Sequence, residues 1–178
     1  MDKLKVFQRM VSIPFGLALI GFLFPLFTFS CAERTVAKPN AYELAMGLDV
    51  TSVLSDEENK ILNDLSQENG GALANVPMRL EKIPVLFGIF VAILVAGLFA
   101  FVTPVGSCVM GIMSLISLWL FIQNMPTYIL QSGFGMMIEV KPGIGAYCVS
   151  MLLIIGIAMS LAAIVKYHQA LKSQEKTS

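Results

Sequence analysis

Four stretches of this chain carry no Asp, Glu, Lys or Arg: Met10–Ser30, Ile83–Thr103, Val105–Gln123 and Ile144–Val165. Each is 19 to 22 residues long, and a helix of that length, rising ~1.5 Å per residue, matches the roughly 30 Å hydrocarbon core of a bilayer. Composition points the same way. Only 13% of the 178 residues are charged and 56% are apolar, with a mean hydropathy of +0.77, whereas soluble domains are about 25% charged. So little polar surface excludes a water-soluble globule, a disordered chain and a secreted disulfide scaffold. Twelve basic residues against twelve acidic ones lack the basic excess of a nucleic-acid binder.

The expected fold is therefore an all-α membrane protein. A single domain, residues 1–178, would hold four transmembrane helices over 10–30, 83–103, 105–123 and 144–165 in an up-down-up-down bundle. Pro104 and Gly106 mark a tight hairpin between the second and third spans, because one helix through both would be about twice as long as the membrane is thick. Basic residues set the orientation. Lys3, Lys5, Arg9, Lys166, Lys172 and Lys176 crowd the short termini, whereas the two loops spread six basic residues among ten carboxylates. Both termini are thus expected in the cytoplasm, with loops 31–82 and 124–143 on the other side. Lys3, Lys5 and Arg9 before an apolar run ending at Ser30–Cys31 also outline a cleaved secretory or lipoprotein signal. The run is long for that, and Thr28 and Phe29 stand where such signals favour an aliphatic and a small residue, so a retained helix is expected.

The first loop is long enough to need structure of its own. Thr28 to Val36 is rich in β-branched and aromatic residues and leads to a turn at Pro39–Asn40, which predicts a short strand leaving the membrane. Ser55–Asp56–Glu57–Glu58 has the spacing of a capping box and predicts a helix of about ten residues, ended by Asn69–Gly70–Gly71. Pro84 then opens the second span, where a missing N–H does no harm. In the second loop Met136, Ile138 and Val140 alternate with Met137, Glu139 and Lys141, the period of a strand. A lone strand cannot satisfy its backbone, so it is expected to pair with the strand after the first span in a small sheet that caps the helices. The alternative is an unstructured connector.

The spans offer no ionisable residue, the usual mark of a transporter, proton relay or intramembrane protease. Their serines can bond to helix backbone or across an interface. His168, beside Lys166, reads as an interfacial residue. A disulfide between Cys31 and Cys148 could form in an oxidising compartment, although buried free thiols are common. No metal, cofactor or catalytic motif is present. Helix contact gives the sharper signal: Gly88, Ala92, Ala96 and Ala100 recur every four residues with Gly97 beside them, and Gly156 with Ser160, and Ala158 with Ala162, repeat the spacing on the last span. Such ridges pack within the bundle or against another subunit. Pro14, Gly16, Gly21 and Pro25 should bend the first span, and Phe15, Phe22, Phe24, Phe27 and Phe29 should give it an aromatic exterior or a partner-facing surface.

Two segments carry a resemblance. Phe29–Ser30–Cys31 with Tyr42–Glu43–Leu44–Ala45–Met46–Gly47, and Val140–Lys141–Pro142–Gly143–Ile144–Gly145–Ala146–Tyr147, resemble small bacterial four-span membrane proteins that are mostly uncharacterised. The resemblance implies a bacterial cytoplasmic membrane and no activity. The topology is also similar to that of claudins, without their Trp and paired-Cys signature, since the first loop holds only Cys31 and Trp119 lies in the third span. The expected function is a non-enzymatic membrane subunit or assembly factor in the inner membrane, without cofactor, whose partners are lipid and other membrane proteins or further copies of itself. Two alternatives stand beside it: a homo-oligomeric pore lined by Ser107, Ser114 and Ser117, and a site under the loops using Glu43, Asp49 or Glu139.

Overall fold

The computed structural model describes residues 2–31, 34–47, 82–131 and 139–175. The order is α1 (Asp2–Gly21), β1 (Phe27–Cys31), β2 (Arg34–Ala37), α2 (Ala41–Met46), α3 (Val85–Val102), α4 (Pro104–Gln131), β3 (Glu139–Pro142) and α5 (Ile144–Glu175). Three segments, Val85–Val102, Pro104–Ile129 and Ile144–Gln169, are helical, long and apolar enough to cross a bilayer. That makes the chain a multi-pass membrane protein, mostly helical, with a small sheet. The long helices pack in a ring: α1 lies against α3 and α5, and α4 touches those same two.

The charge pattern predicts one helix over 10–30, and here the structure differs. α1 ends at Gly21, and its apolar segment, Arg9–Gly21, is only about 20 Å long. The rest of the run turns through Phe22–Leu26 and leaves as β1. Pro25 cannot continue a helix, and the backbone of the turn finds partners elsewhere. Phe22, Leu23 and Phe24 donate to the carbonyls of Leu19, Ile20 and Gly21, and Leu26 donates to Pro39 O at 2.9 Å. In return Phe22 O accepts from Ala41 N, Pro25 O from Gly145 N at 2.8 Å, and Leu26 O from Gly143 N at 2.8 Å. Most polar groups of this irregular segment are thereby satisfied within the protein.

Those last bonds explain the glycines at the start of α5. A Cβ on Gly143 would run into Pro25 O, and one on Gly145 would sit 2.8 Å from the carbonyl oxygens of Phe24 and Pro25. Only glycine lets the two backbones approach this closely. The Pro142–Gly143–Ile144–Gly145 segment is therefore a docking point for the turn after α1.

The expected sheet is present, in the strand order β2-β1-β3. β1 pairs antiparallel with β3 from Phe27↔Pro142 to Ser30↔Glu139, as the period-two pattern predicts for its last residues. The expected single strand from Thr28 to Val36 is instead two, β1 and β2, paired antiparallel with a bulge between Phe29 and Ser30. Phe27 and Phe29 point inward, and the Phe27 ring meets Phe121 of α4 edge-on at 5.7 Å. The sheet is thereby anchored to the helices. The expected helix after Ser55, its stop at Asn69–Gly71 and Phe134–Ile138 lie outside the described residues.

At Pro39–Asn40 the chain opens α2. Asn40 Oδ1 accepts from Glu43 N at 2.9 Å, and Glu43 Oε2 accepts from Asn40 N at 2.9 Å, a complete capping box. The helix stops at Gly47, with φ 88°, in the left-handed region open to glycine. On the opposite side Thr103 alone separates α3 from α4. Its extended backbone, φ −141° and ψ 119°, is what a following proline imposes, and Pro104 supplies the first turn of α4. Both later helices outrun the expected spans, α4 reaching Gln131 rather than Gln123 and α5 reaching Glu175 rather than Val165. No charge follows Gln123 before Glu139, and past Val165 charge marks where hydrocarbon ends, not where a hydrogen-bond ladder must stop. Met125 and Ile129 continue to bury against the core, and the tail after Val165 is made of good helix formers.

Phe15 is the centre of the packing. It is fully buried, and its neighbours are three glycines, one from each surrounding helix. A Cβ on Gly97 of α3 would lie 3.4 Å from Phe15 Cβ, one on Gly111 of α4 3.1 Å from the ring, and one on Gly156 of α5 2.8 Å from it. The expected aromatic exterior of the first span is thus corrected: Phe15, Phe22, Phe27 and Phe29 are core, and only Phe24 is exposed. They outweigh the small residues opposite them in volume, and close packing puts large against small.

Candidate functional site

The small-residue ridges divide between inside and outside. Ala96 and Ala100 are fully buried, Ala92 is half-buried, and Gly88 is exposed with nothing near it. A four-residue step overshoots a helical turn by about 40°, so three steps swing about 120° around the axis and cannot keep to one face. On α5, Gly156 and Ser160 face inward, while Ala158 and Ala162 are exposed. The inward set serves the chain's own packing. Gly88, Ala158 and Ala162 remain for contact with lipid or another protein.

The buried polar side chains are spent internally. Ser114 Oγ donates to Met110 O at 2.7 Å, Ser150 Oγ to Ala146 O at 2.8 Å, and Ser160 Oγ to Gly156 O at 2.9 Å. Ser107 Oγ lies 3.3 Å from Ser160 Oγ; since a hydroxyl carries one proton and that of Ser160 goes to Gly156, Ser107 supplies the proton between them. Among the described residues no buried side-chain nitrogen or oxygen lacks a partner, and no group of three His, Cys, Asp or Glu converges as for a metal. Glu43 belongs to the α2 cap, and Glu139 pairs with Lys141 at 3.0 Å on the exposed side of β3. Asp49 lies outside the described residues. Cys148 is a free, exposed thiol and Cys108 a free, buried one; the side chain of Cys31, the candidate partner of Cys148, is not among those described. His168 is exposed near the end of α5.

One concave feature was not legible beforehand. A furrow runs between α1 and α3 in two stretches that share Leu19. The stretch nearer the sheet has a volume of about 360 Å³ and is bounded by Leu19, Phe22, Leu23, Leu86, Phe87 and Phe90, with Ala41, Tyr42 and Ala45 of α2 as its roof. The other, about 250 Å³, passes Gly16, Leu94, Gly97 and Leu98 and reaches Ser12 and Phe101. Gly16 forms an open floor, since a Cβ there would meet nothing within 4 Å. The helices run antiparallel, with Phe15 beside Gly97 and the Phe22 ring 6.3 Å from Phe90. The sequence holds the signal only as Gly16 and Gly97 on separate helices, which nothing local pairs.

Comparison with models of protein families, with curated proteins and with solved structures finds no match for this chain.

Proposed function

We propose that this chain is a non-enzymatic integral membrane subunit or assembly factor of a bacterial cytoplasmic membrane. It would cross the bilayer four times with both termini in the cytoplasm, hold its sheet and α2 outside, and bind another membrane protein or a second copy of itself. α1 is the fourth span. The exposed apolar Leu23 and Phe24 carry its lipid-facing surface past the end of the helix, and most backbone groups of the turn are bonded within the protein, which favours their lying in hydrocarbon.

The observation that carries the reading is the split between inside and outside. Every buried polar side chain described is occupied by an internal hydrogen bond, while the outer surface is apolar, with small residues at Gly88 on α3 and at Ala158 and Ala162 on α5. Small residues on a lipid-facing helix allow another helix to approach closely. The pore reading loses two of its three lining serines, because Ser107 and Ser114 are buried against the chain's own helices and only Ser117, half-buried, is left. The reading of a site under the loops loses Glu43 and Glu139 to the cap and the ion pair described above.

Site-specific photocrosslinking in native membranes tests this. A benzophenone side chain at Ala158 should give a discrete protein adduct, and one at the exposed Val109 of α4 should give lipid adducts only. Lipid adducts alone from Ala158 and from Gly88, with a monomer after extraction in mild detergent, would overturn the proposal.

A further inference from the structure

We propose that the furrow between α1 and α3 binds one acyl chain of an anionic phospholipid, with the lipid phosphate held at Arg9. The inference needs only that α1 and α3 face the bilayer, and not that the protein has a protein partner.

Three features choose this occupant. The first is length: the furrow follows α1 from Ser12 to its end at Gly21 and goes on to Leu23, and the helical part alone is about 14 Å, close to one leaflet of a hydrocarbon core about 30 Å thick. An acyl chain spans one leaflet. The second is the roof: α2 closes the end next to the sheet through Ala41, Tyr42 and Ala45, so a partner helix crossing the membrane could not run through, whereas a chain terminus can end there. The third is charge. Arg9 precedes Ser12 and Gly16 by three and seven residues, the spacing of one helix face, so it stands at the open mouth of the furrow, level with the end of α3 at Thr103 by the register of Phe15 with Gly97.

Arg9 is exposed and free to reach a phosphate. No carboxylate is among the described side chains at this end. At the roofed end Glu43 follows Tyr42 on α2, and its carboxylate would repel an anionic head. The lining itself offers a lipid chain nothing polar to displace: Ser12 Oγ already donates to Arg9 O at 2.8 Å, and the others, Tyr42 apart, are apolar or glycine.

The test uses the full chain reconstituted in nanodiscs containing phosphatidylglycerol and phosphatidylcholine with identical acyl chains, released gently and weighed by native mass spectrometry. The wild-type protein should retain one phosphatidylglycerol in preference to phosphatidylcholine. Arg9→Gln should lower that preference about fivefold, the worth of one basic side chain at a lipid surface. Gly16→Phe, whose Cβ would meet nothing within 4 Å, puts a ring into the furrow and should remove retention of both lipids. Val109→Phe, on the exposed side of α4 and outside the furrow, should leave retention unchanged and controls for bulk, with circular dichroism confirming helix content in all variants. Equal retention of the two lipids by the wild type, unaltered retention in folded Gly16→Phe, or a dimer crosslinked through position 16 in place of bound lipid would overturn the proposal.

Discussion

The junction where α5 meets the turn after α1 and the middle of the helix ring both rely on glycine, but for different reasons. At the junction, Gly143 and Gly145 face main-chain atoms of Phe24, Pro25 and Leu26, and their amides donate to Pro25 and Leu26 carbonyls. In the middle, Gly97, Gly111 and Gly156 face the side chain of Phe15. Backbone has one shape whatever the residue, so the junction admits no compensating change. A socket for a side chain can be refitted, because the side chain can be exchanged as well.

Substitution at the junction should therefore give the largest effect. In Gly145→Ala the methyl group meets two carbonyl oxygens at 2.8 Å, and relief requires giving up the 2.8 Å bond from Gly145 N to Pro25 O. With Pro25 O and Leu26 O both accepting from α5, detachment leaves backbone acceptors unpaired in an apolar setting, an expected cost of about 3 kcal/mol or more. Unfolding by sodium dodecyl sulfate from mixed micelles would measure it. No replacement at Phe24, Pro25 or Leu26 should restore the loss, since the opposing atoms are common to all residues. A Gly145→Ala variant as stable as the wild type would remove the distinction between the two regions.

The socket should respond less and should be rescuable. Gly156→Ala puts a methyl 2.8 Å from the tip of the Phe15 ring, overpacking with an expected cost of about 1–3 kcal/mol. Phe15→Leu alone opens a cavity where the ring lay, at a similar cost. Together they should recover much of the loss, a coupling of about 1 kcal/mol or more in a double-mutant cycle. Additive losses would mean that Phe15 and Gly156 are not partners, and the packing centre would have to be sought elsewhere.

The same contrast explains what was legible beforehand. Absence of charge locates the starts of α3 and α5 to within a few residues, because hydrocarbon acts on each residue separately, and Pro104 locates the break between α3 and α4. The alternation of Val140 with Glu139 and Lys141 locates β3 for a like reason. The end of α1 at Gly21 was hidden, since Gly21 to Leu26 is as apolar as what precedes it and the turn is fixed by bonds to residues 39, 41, 143 and 145. Phe15 gave no sign of its socket, whose glycines come from three helices far apart in sequence. The furrow was hidden by the same distance. Asn40 and Glu43 carry a local signal in the sequence itself: their spacing is that of the Ser55 and Glu58 box, with Asn in place of Ser.

The smallest effect belongs to the polar contact in the middle of the ring. Ser160 is fully buried, and its hydroxyl donates to Gly156 O within its own helix while lying 3.3 Å from Ser107 Oγ. Ser160→Ala removes the donor of the first bond and the acceptor of the second. The Gly156 carbonyl keeps its place in the helix ladder, and Ser107 can turn its proton to a carbonyl of α4, as Ser114 does toward Met110. Bonds between helices in membranes average about 0.6 kcal/mol when tested pairwise, so Ser160→Ala should cost about that much in the same unfolding assay. Ser107→Ala should cost no more, and the double variant should be nearly additive. A loss of 3 kcal/mol or more would mean that the pair carries a share of stability comparable to the junction, and the middle of the ring would then depend on fixed polar geometry instead of on the fit of Phe15 among its glycines.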